Sequence, residues 1–477
     1  MKYPVTSSQR WVVGLAATAS FMVALDALVV STALSQIRQA LNSSIEDLEW
    51  TVNAYILSFA VLMMTASALG DLLGRRRLFT IGLAVFGAAS VACAVSPTIA
   101  WLIASRAIQG VGAALVMPLA LALITSAFKP EQRPWAMGVF SSVTGFAVLC
   151  GPLLGGAVVQ GISWPWIFWL NVPIAVALIP LTLKNTAESR GPNTRLDLPG
   201  LALFTTASLA LVWALMRANG AGWSSLEVLG ATLAGVTLAA TFTAHELRTS
   251  QPMLPLNLFN QRAFSAGNLA IFCWSASVLG TLFFMAQFLQ LALGYGPLET
   301  GVKLMPWGAT TFLVPQLAGR LINKFGERWF AAGGLALEAA SMAWLALIAS
   351  PNVSYGQLIA PLVMSGAGFA LSIPAIQSAV ISAVEPRNIG RASGTLSTLR
   401  QLGSVFGVAI VGAVFASSGS YASTESFSHG FGAAIIASGA LAFLGAVAAL
   451  ALPGARPAVA QLSVMPTRER TTQRAAI

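Results

Sequence analysis

Stretches of about twenty apolar residues recur along this chain from end to end, and nothing else in the sequence limits the fold so strongly. At 1.5 Å per residue each is long enough to cross a hydrocarbon core of roughly 30 Å. Fourteen can be placed, at about 11–33, 50–70, 77–96, 99–126, 136–160, 165–183, 198–217, 225–244, 264–290, 300–322, 329–349, 357–381, 393–417 and 431–452. Backbone in lipid must satisfy its own hydrogen bonds, so the expected fold is an all-α polytopic membrane protein. Composition agrees: 56% of residues are hydrophobic and only 9% are charged. Ordinary globular chains carry about a quarter charged. The first run follows Lys2 and Arg10 as a signal peptide would. It exceeds an h-region in length and holds Asp26, so it reads as a retained first span.

A formal charge of +10 would suggest nucleic acid in a soluble protein. Here the loops account for it. With the N-terminus inside, 21 of the 26 Lys and Arg fall in cytoplasmic segments. The outer segments hold Arg38, Arg217 and Lys303, while Arg106 and Arg400 lie within spans. This is the positive-inside bias with an even number of spans, so both termini are expected in the cytoplasm. Cys93, Cys150 and Cys273 all fall within spans as small apolar residues, without disulfide or zinc spacing. His245 and His429 lack ligand partners in sequence, so no metal site is expected. No lysine follows a glycine, so the GxxxxGK[ST] phosphate loop is absent and no ATP site is expected.

The chain carries an internal repeat. At a constant offset of 256, Gly110, Gly112, Pro118, Pro130, Gly138, Gly151 and Gly156 fall on Gly366, Gly368, Pro374, Pro386, Gly394, Gly407 and Gly412. At an offset of 252, Asp71-Leu-Leu-Gly74-Arg-Arg76 aligns with Asn323-Lys-Phe-Gly326-Glu-Arg328. Duplicated bundles are a mark of transporters. The expected organisation is two six-helix bundles with two helices inserted between them. Residues 1–184 form the first bundle, 185–263 the linker with the two extra helices, 264–452 the second bundle. Residues 453–477 form a cytoplasmic tail without fixed structure.

Four stretches resemble the major facilitator superfamily, and within it the fourteen-span drug:proton antiporter branch. Ser67-Ala-Leu-Gly-Asp71-Leu-Leu-Gly74-Arg75-Arg76-Arg77 is similar to the loop signature between spans two and three, departing from it at Ser67 and Leu72. Arg106-Ala-Ile-Gln109-Gly110-Val-Gly112 resembles the RxxQGxG signature of span four. Gly145-Phe-Ala-Val-Leu-Cys-Gly151-Pro152-Leu-Leu-Gly155-Gly156 resembles the antiporter signature of span five. Leu25-Asp26, the run from Trp50 to Tyr55 and WPWIFWLNVP from Trp164 to Pro173 resemble the fourteen-span branch, departing at Pro165. The resemblance implies that Asp71, with Gly74, Arg75 and Arg76, latches the two halves together at the cytoplasmic face. It implies that the span-five stretch forms a tight seam favouring exchange over one-way flow. Asn323 in the second copy implies that the latch is one-sided.

The residues themselves say more about the charges. A charge inside a span is costly and usually faces a partner or a wet cavity. Asp26 and Arg106 each lie seven residues from the outer end of their span, roughly 10 Å deep, so neighbouring helices would let them pair. Such a pair either fixes helix register or binds a proton when exposed alternately to the two sides. Glu338, about 12 Å from the inner end of span eleven, is either a helix–helix hydrogen bonder or a second proton or cation site. Arg400 either snorkels to the headgroups or lines the cavity mouth. Asn53, Tyr55, Gln287, Gln290 and Gln377 are candidate cavity liners, though each type more often bonds helix to helix. Trp50, Trp164, Trp166 and Trp169 suit an aromatic belt at the outer interface.

The function expected from all this is a proton-coupled antiporter in the cell membrane, exporting hydrophobic or cationic drugs and similar toxic organic compounds. The alternative on the same fold is a narrow exporter of one antibiotic, metabolite or siderophore. A proton-coupled importer fits the span-five resemblance less well, and a receptor would need a soluble domain that the loops cannot form. No nucleophile–base or metal constellation marks an enzyme. Protons serve as coupling ion without a cofactor, and the chain is expected to act as a monomer among lipids. Some relatives in two-membrane bacteria use a periplasmic adaptor, which the sequence leaves open.

Overall fold

The computed structural model describes residues 5–129, 132–191, 197–249, 252, 254, 256–314, 326–385 and 389–453, and these are helical almost throughout. We number the helices α1 (Ser7–Leu41), α2 (Ile45–Leu73), α3 (Arg75–Ala94), α4 (Ile99–Ala127) and α5 (Arg133–Gly161). The element α6 spans Trp166–Asn185, a turn at Trp166–Trp169 continued by Asn171–Asn185. The inserted pair is α7 (Leu198–Ala221) and α8 (Leu226–Arg248). Then come α9 (Arg262–Gln287, extended by a π turn at Phe288–Ala292) and α10 (Pro297–Lys303, resuming as helix over 305–314). The last four are α11 (Glu327–Ile348), α12 (Tyr355–Ser382), α13 (Ile389–Ser418) and α14 (Thr424–Ala449). Asn323 and the end of the tenth span, together with Pro130, Pro386 and the tail after Pro453, lie outside the described residues.

Helix ends follow from local chemistry. Thr6 and Gln9 close a capping box on α1, and Ser44 and Asp47 close one on α2, their side-chain oxygens accepting from N–H groups that the first turn leaves without a partner. Gly74, at φ +111, makes the one-residue break between α2 and α3 that a side chain would strain. Twelve helices among the described residues are long and apolar enough to cross a membrane, thirteen if the two arms of α2, bent by 52°, count as one span.

Helices α1–α6 pack on one another, and so do α9 and α11–α14. The repeat is visible in these contacts. A Cβ at Gly110 would collide with the Tyr55 carbonyl and Ser58 hydroxyl of α2; at Gly366 it would collide with Trp307 and Thr310 of α10. Gly112 lies against the backbone of Phe86, and Gly368 lies in the same way against Glu338. These pairs keep the offsets of 252 and 256 read from the sequence. The halves meet where α2 packs on α13 and α5 on α10, while α7 covers the α2–α13 crossing and α8 packs on α7.

Candidate functional site: a buried ion pair in the first half

The cluster is built where α4 crosses α1, α2 and α3. Thr98 caps α4, setting Arg106 two turns into it. Gly110 and Gly112 then let α2 and α3 approach the α4 backbone, while Arg106 and Gln109 turn toward α1. The spacing of the RxxQGxG run thus combines two polar side chains with two close helix approaches.

Asp26, Arg106, Gln109, Asn171 and Ser90 are each at most 2% exposed. Arg106 Nη1 donates to Asp26 Oδ2 at 2.5 Å and to Gln109 Oε1 at 2.6 Å. Asp26 Oδ1 accepts from Gln109 Nε2 at 2.9 Å and from Asn171 Nδ2 at 2.8 Å. Gln109 also donates to Ser90 Oγ at 2.9 Å, and Arg106 Nε to the Thr51 carbonyl at 3.2 Å. The guanidinium lies 4.2 Å from the Tyr55 ring centroid and 5.7 Å from that of Phe168. A buried pair of charges is tolerable only when its remaining hydrogen bonds are made, and here both partners are well supplied. The structure therefore brings together Asp26, Arg106 and Gln109 as expected, with Tyr55 stacked beneath them. Sequence reasoning missed Asn171, Ser90 and Thr51 as partners, although Asn171 lies within the quoted stretch WPWIFWLNVP.

Among the described residues of the second half no such pair is found. At the repeat offsets, Asp26, Tyr55, Ser90, Arg106 and Gln109 correspond to Val278, Trp307, Met342, Leu362 and Ser365. All five counterparts line one small void of about 10 Å³. Four of the five positions that are polar or aromatic in the first half's cluster carry Val, Trp, Met and Leu here, and Ser365 is the exception. Glu338 is the counterpart of Phe86 and is fully buried. Among the described residues neither of its carboxyl oxygens, nor the Ser277 hydroxyl of α9, has a hydrogen-bond partner.

The α2–α3 turn is tied to the first half's own exit segment. Asp71 binds Arg75 Nε at 2.8 Å, and its carbonyl accepts from Gly191 N at 3.1 Å. Arg75 N donates to the Ser189 carbonyl at 2.9 Å. Glu188, unremarked in the sequence, caps α3 by accepting from the backbone N–H groups of Arg76 at 2.9 Å and Arg77 at 3.2 Å. Negative charge belongs at a helix N-terminus, which explains an acid beside three arginines.

In the span-five stretch, Gly145 has open space around it. Gly151 and Gly155 face Leu28, Val29 and Thr32 of α1 in their own half. The seam between halves runs instead through Pro152, which meets Gly301, and Gly156, which meets the Pro297 carbonyl. Of the expected cavity liners, Asn53 and Gln287 are buried in helix contacts and Gln290 bonds the Thr32 carbonyl across the seam at 2.9 Å. Gln377 is exposed, and Arg400 is half-buried. Among the described residues no three His, Cys, Asp or Glu side chains converge as a metal would need.

Two similar bundles of membrane helices meeting across a seam, with a buried acid–base pair in one of them, define a secondary transporter. The chain belongs to the Major Facilitator Superfamily, which it matches over residues 16–311 and 263–471. It is 35% identical over 398 residues to the multidrug resistance protein Stp of Mycobacterium tuberculosis, covering 83% of this chain and 74% of that protein. It is 32% identical over 448 residues to a methylenomycin A resistance protein of Streptomyces coelicolor, covering 93% of each. Its fold is similar to that of a D-xylose–proton symporter, with a TM-score of 0.67, 16% identity and coverage of 94% and 99%. The inward open xylose transporter XylE of E. coli is similar at a TM-score of 0.66, 16% identity and coverage of 94% and 98%. The chain is thus a multi-pass cell membrane protein of a transporter family.

Proposed function

We propose that this protein is a proton-coupled antiporter that exports hydrophobic or cationic drugs and other toxic organic compounds, with no cofactor beyond the proton. The observation that carries the coupling is the Asp26–Arg106 pair, fully buried and replaced by Val278 and Leu362 in the other half. The relatives are named for drug resistance and antibiotic export, which supports the substrate class. The arginine-rich α2–α3 turn supports a cytoplasmic position for that end and for both termini, with fourteen spans once 300–322 is counted. The joints between halves at Pro152–Gly301, Gly156–Pro297 and Gln290–Thr32 lie from mid-bundle to the other end, so in this reading the structure is closed toward the outside. The chain acts as a monomer, and Asp26 exchanges its partner for a proton when the bundle faces outward. Relatives named for a single antibiotic, tetracenomycin C or methylenomycin A, favour a second reading with one substrate.

Dye accumulation in an efflux-deficient host tests both readings. Over-expression should lower accumulation several-fold, and a protonophore or Asp26→Asn should abolish the effect at equal protein level. Protonophore-insensitive export would overturn the coupling, and export confined to one compound would favour the narrow reading.

A further inference from the structure

At the end of the bundle away from the α2–α3 turn, the halves close on a carboxylate that the Asp26 network does not use. Glu49, in the second turn of α2, is 4% exposed. Its carboxyl group lies against Gly412 of α13, so closely that a Cβ there would collide with Oε1. Gly412 is the repeat partner of Gly156, which seats α5 on α10 at the same level. One copy of this seam thus closes on a backbone carbonyl, the other on an acid.

The charged and titratable groups around Glu49 are all engaged elsewhere. Glu46, on the same helix, pairs with Arg217 of α7 at 3.2 Å. Arg106 of α4 is held by Asp26. Arg38 of α1 stacks on the Tyr421 ring at 4.2 Å, and Tyr421, from the turn after α13, donates its hydroxyl to Gln287 of α9. Burial first, then the nearby Glu49, push the Tyr421 hydroxyl above the usual tyrosine range, against Arg38 and the bond to Gln287. It therefore stays a neutral donor. Arg400 of α13 is twelve residues from Gly412, about 18 Å along the helix. No hydrogen bond or ion pair engages Glu49 among the described residues. A carboxylate enclosed this way has neither cation nor donor, whereas separating α13 from α2 returns it to water.

We propose that Glu49 is a proton-binding site completed by both halves: it takes a proton from the outer water as α2 and α13 close on it, and returns that proton to the same side when they part. The site makes outer closure depend on outer acidity without itself carrying a proton across. It rests on the alternating exposure of the reading above, but not on what Asp26 does. One proton bound on closure shifts the ratio of closed to open molecules by up to about tenfold per pH unit.

The test uses full-length protein in lipid nanodiscs with spin labels at the exposed positions Gln39 and Ala416, in a Cys150→Ser, Asp26→Leu/Arg106→Leu background that removes the Asp26 proton response without stranding a buried charge. Pulsed EPR distances should shift toward the short population as pH falls from 8 to 5.5. With Glu49→Gln, a neutral side chain of the same shape, the short population should dominate at every pH. A Glu49→Gln variant that keeps the pH response, or a parent that shows none, would overturn the proposal. Failure of proton-coupled export would appear in the dye assay alone and leave these distances unchanged.

Discussion

Arg106 is the residue whose loss the structure judges most severely. Removing it leaves Asp26 charged among apolar helices, with only the amides of Gln109 and Asn171 for company. Stranding one member of a buried pair costs about 3–5 kcal/mol, whereas replacing both by apolar residues of similar volume is often neutral. The second half already contains that replacement, since Val278 and Leu362 occupy the corresponding positions in an intact bundle. Arg106→Leu should therefore lower the amount of folded protein and its thermal midpoint. The double variant Asp26→Leu/Arg106→Leu should recover most of that loss while remaining inactive in efflux. Fluorescence-detected size exclusion with a thermal ramp, read beside dye accumulation, checks the pair. Equal instability of single and double variants would contradict the argument.

Two element ends are held by acids that sequence reading passed over or left in a linker. Glu188 caps α3, and its charge faces the free N–H groups of Arg76 and Arg77. Glu188→Gln keeps the shape but loses the charge and one acceptor, so it should cost about 1 kcal/mol of stability, as helix caps do. A thermal midpoint unchanged from wild type would deny the cap its role. Asp197 caps α7 through the Gly200 N–H at 2.9 Å and joins its start to the end of α8 through His245 Nε2 at 2.8 Å. Burial pushes the Asp197 carboxyl up, but the bonds from Gly200 and His245 together bring it below the ordinary carboxylate value. A depressed value means stability present above the unfolded value, about 3.9, and lost as pH falls through the lower folded one. Asp197→Asn should thus lower the midpoint at neutral pH and flatten its fall below about pH 4. The spans themselves were legible because their apolar runs are long and unbroken. These end contacts were not: Glu188 reads as ordinary linker charge until the chain returns it to the start of α3, and Asp197, though next to the helix it caps, meets the end of α8 only through His245, 48 residues on.

At the scale of the whole molecule, the repeat was legible because glycines leave no choice: where two backbones touch, no other residue fits. The pairing of Asp26 with Arg106 was legible from matching depth. What the two copies do differently was not, since an offset cannot say that Val278, Met342 and Leu362 enclose a void where Asp26, Ser90 and Arg106 enclose an ion pair. Nor could spacing divide the span-five glycines by partner. Gly151 and Gly155 serve α1, whereas Gly156 serves the opposite half. That division predicts unequal effects from similar substitutions. Gly156→Leu places a side chain against the Pro297 carbonyl and the Leu298 backbone, which cannot give way as a flexible side chain would. The halves should then fail to close at that end. Gly145→Ala meets nothing within 4 Å and should be neutral or slightly stabilising, since alanine favours a helix over glycine. The expected result is full-length, membrane-inserted Gly156→Leu protein with efflux reduced at least tenfold and with the closed seam opened. Its mark would be faster labelling of a cysteine placed at Gln290, which bonds Thr32 across the closed seam. Wild-type transport by Gly156→Leu would mean that closure at this end is not needed for turnover.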